Sequence, residues 1–327
     1  MPALSVTVLN YNYGCYLASC LEVILAQTFD DFEVIVIDDC SPDNSQEVIE
    51  PFKKDPRIRS ILHEKNVGYR GSLIEGTELL SRGEFLTVIS ADDVVRRKDA
   101  FEIQMRALRS RPDVSMCFSA VDRFSSETGE IYSVHHSFAG DRLLEPQDAL
   151  RRFLTEEVWA MHSGTIIRAA AYRASGGYAR DLLFALDTAL WPLLCIEGPV
   201  AYCDTVLYGY RVHRNQMSRS LKSARETPGE LFRLVERACS RAEQRGWKIG
   251  SLRDEADRYW VGRMLVVDAF LGLRRELLAE AWAALKLRPA TMLSERRFWV
   301  ALLRLALGER VFTAARGLLG RSKELSA

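Results

Sequence analysis

The stretch "EFLTVISADD", residues 84–93, decides the fold. Six residues suited to a buried strand run straight into two adjacent carboxylates, Asp92 and Asp93. Working outward, the same grammar recurs. "LSVTVLN" (4–10), "FEVIVIDD" (32–39) and "IRSILHE" (58–64) read as strands. The segments "YLASCLEVILAQT" (16–28), "SQEVIEPFKK" (45–54) and "GSLIEGTELLS" (71–81) carry apolar residues at helical spacing. Strands alternating with helices of this length imply crossover connections and a mostly parallel sheet covered on both faces. Nearly continuous Val, Ile and Leu in the strands fits burial on both sides.

After Asp93 the pattern loosens. A helix is expected over 101–112, a strand over 114–124, a strand running into a helix over 162–175, and extended chain over 200–213. Beyond residue 222 the composition turns to Leu, Ala, Arg and Glu, and helices are expected near 229–245, 252–272, 275–287, 295–307 and 310–320. The expected organisation is an α/β domain over 1–222 and a helical extension over 223–327.

Composition sets limits. The 327 residues are 48% hydrophobic and 27% charged, which suits a globular protein with a sizeable core. Net charge is zero, but residues 223–327 hold 20 basic and 13 acidic groups, so the extension is +7 and the first 222 residues −7. An acidic front and basic tail argue against nucleic acid as a partner. The tail around "ERRFWVALLRLALGERVFTAARGLLGR" (295–321) suits packing on the domain or on a second copy; the sharper alternative is peripheral contact with an anionic membrane. Seven cysteines without a C-x-x-C pair read as free thiols of a reducing cytoplasm. The start "MPALSVTVLNYN" gives no secretory signal, and no apolar run reaches the length of a spanning helix.

In an open parallel sheet, ligands gather at the carboxyl edge of the strands. Three strands end there in polar groups: Asn10-Tyr11-Asn12, Asp38-Asp39 and Asp92-Asp93. The first turn, "NYNYGCY", is neither a dinucleotide fingerprint nor a P-loop. A nucleotide's phosphates would need another source of positive charge, and hard oxygen ligands suit Mg²⁺ or Mn²⁺. Such an ion relieves the repulsion within an acidic doublet.

The order V-x-V-L-N-Y-N, V-I-V-I-D-D-x-S, N-x-G and G-E-F-L-x-x-x-S-A-D-D resembles a family-2 glycosyltransferase with the GT-A fold. "GGYARDLLFALDTALWPLL" and "YGYRVHRNQMS" resemble later segments of that family, so the likeness spans about residues 3–220. The resemblance implies a nucleotide-sugar half over about 1–112 and an acceptor half over about 113–222. It implies that Asn10, Tyr11 and Asn12 line the nucleotide, with Tyr11 against the base and Asp39 accepting its ring N–H, which favours uracil. It further implies Asp92 near the ribose, Asp93 on the metal, His213 near the metal or diphosphate, and Asp187 as catalytic base. Two positions depart from the family pattern. Leu73-Ile74 stand where many members have Arg-Asn, with Arg70 as the substitute cation at the diphosphate, and Leu186 replaces a Glu before Asp187.

The implied reaction is inverting transfer from a UDP-sugar to a glycan or lipid-linked acceptor, in synthesis of bacterial surface polysaccharide or glycoconjugate. Two rivals are weighed. A sugar nucleotidyltransferase would start with a Gly-rich basic loop, which "LNYNYGC" lacks. A non-catalytic glycan-binding protein of the same fold would not need both doublets and Asp187. Trp159, His162 and Trp191 are expected as core aromatics, and His135-His136 as loop surface.

Overall fold

The structure is a computed structural model describing residues 1–183, 185–217 and 221–260, and four isolated positions beyond, 285, 289, 293 and 299. The chain divides into two compact units, Met1–Arg219 and Ser220–Ala327.

The first unit begins with β1 (Leu4–Asn10), α1 (Gly14–Leu25), β2 (Phe32–Asp38), α2 (Ser45–Ile49), β3 (Ile58–Leu62), α3 (Tyr69–Ile74) and β4 (Phe85–Ser90). All seven residues of β1 and of β2 are buried, as expected from their Val-, Ile- and Leu-rich sequences. β1 lies between β2 and β4, parallel to both, and β3 pairs parallel outside β2. Leu17, Leu21 and Ile24 of α1 are fully buried in the same core as Val6, Val8, Val34 and Val36. Burying each such side chain is worth about 1.5–3 kcal/mol.

The chain continues through β5 (Val94–Val95), α4 (Ala100–Ser110), β6 (Met116–Ser125), β7 (Ile131–His135), β8 (Arg142–Leu144), α5 (Pro146–Leu154), β9 (Thr165–Arg168), α6 (Ala169–Ser175), α7 (Leu186–Glu197) and β10 (Val200–Val212). The sheet order is β3-β2-β1-β4-β9-β6-β10-β5, with β7 on β6 and β8 on β10. β9 runs antiparallel to both β4 and β6, whereas β10 runs parallel to β6. The sheet is therefore mixed: β3-β2-β1-β4 and the β6-β10 pair are parallel, and β9 joins them antiparallel.

Several expected elements differ. The helix expected over 71–81 starts at Tyr69 and changes to a π-helical turn over Glu75–Leu80. A Cβ on Gly76 would sit 2.4 Å from Thr7 Cγ2 and 3.0 Å from Ile37 Cδ1, so glycine lets this turn lie directly on β1 and β2. The helix expected over 45–54 ends as α2 and continues as a 3₁₀ turn over Glu50–Lys54, where Pro51 enters. His135 is not loop surface: it closes β7, with its ring edge-to-face on Trp159 at 5.5 Å.

In the second unit, α8 (Leu221–Gln244) presents Leu231, Leu234, Val235, Ala238 and Ala242 to a buried stripe, and residues 252–260 are helical with Ala256 and Trp260 buried. Arg253 bridges Glu236 and Glu243 at 3.5 and 3.0 Å. The helices expected over 275–287, 295–307 and 310–320, and the membrane or second-copy contact read from them, lie outside the described residues. Among the described residues no helix is long and apolar enough to cross a membrane. All seven cysteines are free thiols.

Candidate active site

The carboxyl ends of β1, β2 and β4 open into a cavity of about 700 Å³. Asn12 and Cys40, just beyond β1 and β2, take left-handed backbone angles, φ 61° and 59°, which turn the chain sharply at this edge. Its lining falls into two sets along the chain: Asn10, Tyr11, Asn12, Asp39, Asp92 and Asp93 from the first half of the unit, called the first wall, and Arg123, Trp159, His162, Asp187 and Tyr210 from the second half, called the second.

On the first wall, the Asn10 amide nitrogen is 2.6 Å from Asp38 Oδ1 and 2.8 Å from Ser45 Oγ. Its Oδ1 is buried without a hydrogen-bond partner among the described residues. Tyr11 is half exposed and offers a flat apolar face. Asp39 is buried and already engaged: Val67 and Gly68 each donate a backbone N–H at 2.8 Å, and His63 Nδ1 lies 2.8 Å away. A carboxylate has about four acceptor sites, so one remains for a further donor. Gly68 has φ 83°, a conformation natural only to glycine, and it turns its N–H onto Asp39. His63 Nε2 lies 2.7 Å from Glu75. Burial opposes the charge on His63, but the two carboxylates outweigh it and raise its pKa.

Asp92 and Asp93 are both buried. Ser163 Oγ donates to Asp93 Oδ2 at 2.6 Å, and Arg211 N approaches Oδ1 at 3.4 Å. Burial, and then the charge of Asp92, push the Asp93 carboxyl well above the usual carboxylate range. His213 is not among the residues lining the cavity: its Nε2 lies 3.0 Å from Asp92 Oδ2, and its ring packs against Tyr13 and Tyr16 at 5.3 and 5.4 Å. Arg211 Nε donates to the Asp92 carbonyl at 2.8 Å while its guanidinium lies over Tyr16 and Phe124.

Arg70 is the clear correction. Its Nη1 donates to the carbonyls of Arg180 and Leu182, at 2.6 and 3.1 Å, and it does not line the cavity. The first turn of α3 aims it along the segment that leads to Asp187, so it braces that segment rather than meeting a diphosphate.

On the second wall, Asp187 sits in the first turn of α7. Thr188 N–H donates to Oδ1 at 2.8 Å, while Oδ2 accepts nothing from the described residues. His162 is buried, with Nδ1 2.8 Å from Tyr69 Oη and Nε2 2.6 Å from Tyr178 Oη. Burial lowers its pKa, partly countered by Asp187, which keeps the ring neutral. One tyrosine then donates to it and the other accepts. The sequence reading takes His162 as a core aromatic and assigns nothing to Tyr69 or Tyr178; the chain joins residues 69, 162 and 178, and no local pattern announces it. Trp191 is core, its Nε1 donating to the Ala160 carbonyl at 3.1 Å, whereas Trp159 is half-buried in the cavity wall.

Among the described residues no group of three or more His, Cys, Asp and Glu could hold a metal ion unaided. The doublet nonetheless suits a hard divalent ion, which typically takes one or two carboxylates and fills its remaining positions with substrate phosphates and water. Two buried like charges facing a cavity are the deficit such an ion corrects.

The profile described as Glycosyl transferase family 2 matches residues 5–173, about half of the chain. The chain belongs to glycosyl transferase family 2. Among curated proteins it is similar to glycosyltransferase GlyG of Streptococcus pneumoniae serotype 4, 39% identical over 94 residues, 28% of this chain and 31% of that protein. The chain spans between 31% and 63% of the length of three such curated relatives. Among solved structures it is similar to S. aureus TarS 1–349 in complex with UDP-GlcNAc, TM-score 0.60 at 15% identity, covering 92% of this chain and 90% of that one. It is also similar to the mannosyltransferase PcManGT from Pyrobaculum calidifontis in complex with GDP-Man and Mn²⁺, TM-score 0.56 at 16% identity, covering 93% and 87%. The fold is of the GT-A type.

Proposed function

We propose that this chain is an inverting glycosyltransferase that moves a sugar from a nucleotide sugar to an acceptor hydroxyl. One observation carries the reading: Asp39, Asp92, Asp93 and Asp187, contributed by two strand ends and a helix start, line a single cavity. The nucleotide lies along the first wall, with the base against Tyr11 and its ring N–H on the remaining acceptor site of Asp39, which favours UDP. The acceptor enters from the Trp159 and Asp187 side. These assignments also divide the first unit into a donor half, about 1–112, and an acceptor half after it. The neighbours carry UDP-GlcNAc in one case and GDP-Man in the other, so UDP is the first nucleotide to test.

Asp187 is the base. Its Oδ1 is fixed by the Thr188 N–H, and its Oδ2 is available to a substrate proton. The acceptor O–H proton passes to Asp187 as the acceptor oxygen bonds to the anomeric carbon. The bond from that carbon to the diphosphate breaks on the opposite face, and the electron pair leaves with the nucleotide. A general base of this kind is worth about 10²–10⁴ in rate. Asp93, with Asp92 beside it, would hold Mn²⁺ or Mg²⁺, with His213, hydrogen-bonded to Asp92, as the neighbouring nitrogen donor. The ion would supply Lewis-acid stabilisation to the departing diphosphate. The Mn²⁺ of the mannosyltransferase complex supports that assignment. The acceptor is read as a glycan or lipid-linked glycan of a surface polysaccharide or glycoconjugate pathway.

The test is calorimetric titration of UDP and UDP-sugars with and without Mn²⁺, followed by UDP release. Metal-dependent UDP binding that Asp93→Ala abolishes is expected. Metal-independent binding of equal strength in the variant refutes the metal assignment, and absence of any nucleotide-sugar turnover refutes the enzyme.

A further inference from the structure

The acceptor wall carries one strongly cationic side chain, and it is not spent on the protein. Arg123 lies on β6, where strand alternation separates its fate from that of its neighbours. Asp122, one residue earlier, is buried and takes both Nε and Nη2 of Arg96, at 2.8 and 2.7 Å. Phe124, one residue later, packs beneath Arg96 and Arg211. Asp122 is thus satisfied on the other face, and Arg123 points to the cavity without a carboxylate of its own strand.

There the guanidinium carbon lies 5.1 Å from the Trp159 ring centroid and 5.6 Å from that of Tyr210, its register partner on β10. Among the described residues no carboxylate lies within ion-pair distance of Arg123, and no protein acceptor takes its N–H groups. The titratable group beside it is His135, whose pKa is lowered by burial and then by the charge of Arg123 itself. Aromatic contact occupies the apolar surface of a guanidinium and leaves its N–H fork for a ligand. That fork matches a carboxylate or phosphate bidentately. Among the described residues lining the cavity Arg123 is the one Lys or Arg, facing Asp39, Asp92, Asp93 and Asp187. A purely neutral acceptor would have no use for it. An anionic acceptor would be repelled from this cavity without it.

We propose that Arg123, seated against Trp159 and Tyr210, is the acceptor-recognition residue and that the acceptor carries a carboxylate or phosphate near the hydroxyl to be glycosylated. The inference rests on the glycosyltransferase reading above, and names its acceptor class. Trp159 and Tyr210 are positioning residues that hold the fork towards the cavity.

The test uses the full chain with UDP and MnCl₂ present. Wild type and Arg123→Gln are titrated by ligand-observed NMR with two matched pairs: 4-nitrophenyl β-D-glucuronide against the β-D-glucoside, and glycerol 1-phosphate against glycerol. In the wild type the charged member of at least one pair should bind about tenfold tighter or more, as a charge-assisted hydrogen bond implies. The pair that discriminates tells carboxylate from phosphate. Arg123→Gln should abolish the preference and leave UDP affinity, read by calorimetry, unchanged. Arg123→Lys, which keeps the charge but not the fork, should retain only part of the preference, and it serves should the Gln variant not fold. No preference in the wild type, a preference undiminished in both variants, or a tenfold loss of UDP affinity in either would overturn the proposal; the last outcome would assign the arginine to the donor diphosphate. Failure of the underlying reading looks different: wild type that neither binds UDP nor releases it from a UDP-sugar.

Discussion

Replacing Asp187 by Asn separates the base from the helix start it also serves. The Thr188 N–H is held by Oδ1 at 2.8 Å, and an asparagine carbonyl can take the same bond. The start of α7 should therefore survive, with a stability change of a few tenths of a kcal/mol against the roughly 0.5–1.5 kcal/mol that loss of a hydrogen bond costs. Oδ2, which faces no described partner, becomes an amide that cannot take a proton. Transfer should fall by about 10²–10⁴, equivalent to about 3–5.5 kcal/mol of barrier. UDP affinity should stay within twofold, since Asp187 belongs to the second wall and the nucleotide lies along the first. The assay pairs UDP release under saturating donor with a thermal melt and a UDP titration. Asp187→Leu is the control, losing both turnover and the helix contact. Turnover of Asp187→Asn within tenfold of wild type would refute the base assignment. A matching fall in melting temperature would show that helix α7, not chemistry, was damaged.

His63→Gln should cost about 1–3 kcal/mol at pH 5.5, the scale of charge-assisted hydrogen bonds to Asp39 and Glu75. Because the folded pKa is raised, this stabilisation is full below the unfolded value of about 6.5 and is lost as pH rises through the folded value. Urea melts at pH 5.5 and 8.5 check it, and a pH-independent difference between the two proteins would contradict it. Gly68→Ala meets no atom within 4 Å yet must hold φ 83°. It should lose about 1–2 kcal/mol and weaken UDP binding by tilting the N–H from Asp39; unchanged melts and titrations would show that this turn bears no strain. Asp93→Ala should remove the metal dependence of UDP binding, as set out above.

What could be read from the sequence follows burial. β1 and β2 are plain because both faces are covered and the strands are rich in Val, Ile and Leu, with Ser5, Thr7 and Glu33 the interior polar exceptions. β7 is not, since Ile131, Tyr132 and Val134 are exposed on an edge and show no alternation. The π turn after Ile74 depends on how closely Gly76 approaches Thr7 and Ile37, a contact between elements that no local pattern encodes. The acidic doublets declared the site because like charges at strand ends are costly without a ligand. The destination of Arg70 was hidden because one turn of α3 decides it. The meeting of Arg123 with Tyr210 was hidden for a related reason: β6 and β10 pair across 87 residues of intervening register, with α5, β9, α6 and α7 between them.

That late pairing has a consequence for biogenesis. The wall bearing Tyr210 and the loop bearing Gln216 come from the last strand of the domain, whereas Asn10 leaves the ribosome among the first residues. Domains tend to fold as units during synthesis, and contacts distant along the chain are slow to form. A nascent polypeptide ending near residue 199 owns the acidic doublets and Asp187 but lacks the strand that closes the pocket around them. Ligand capture should accordingly appear in one step as β10 emerges, and a stalled intermediate just short of it would carry Asp92 and Asp93 towards an unfinished edge without Arg211 and His213.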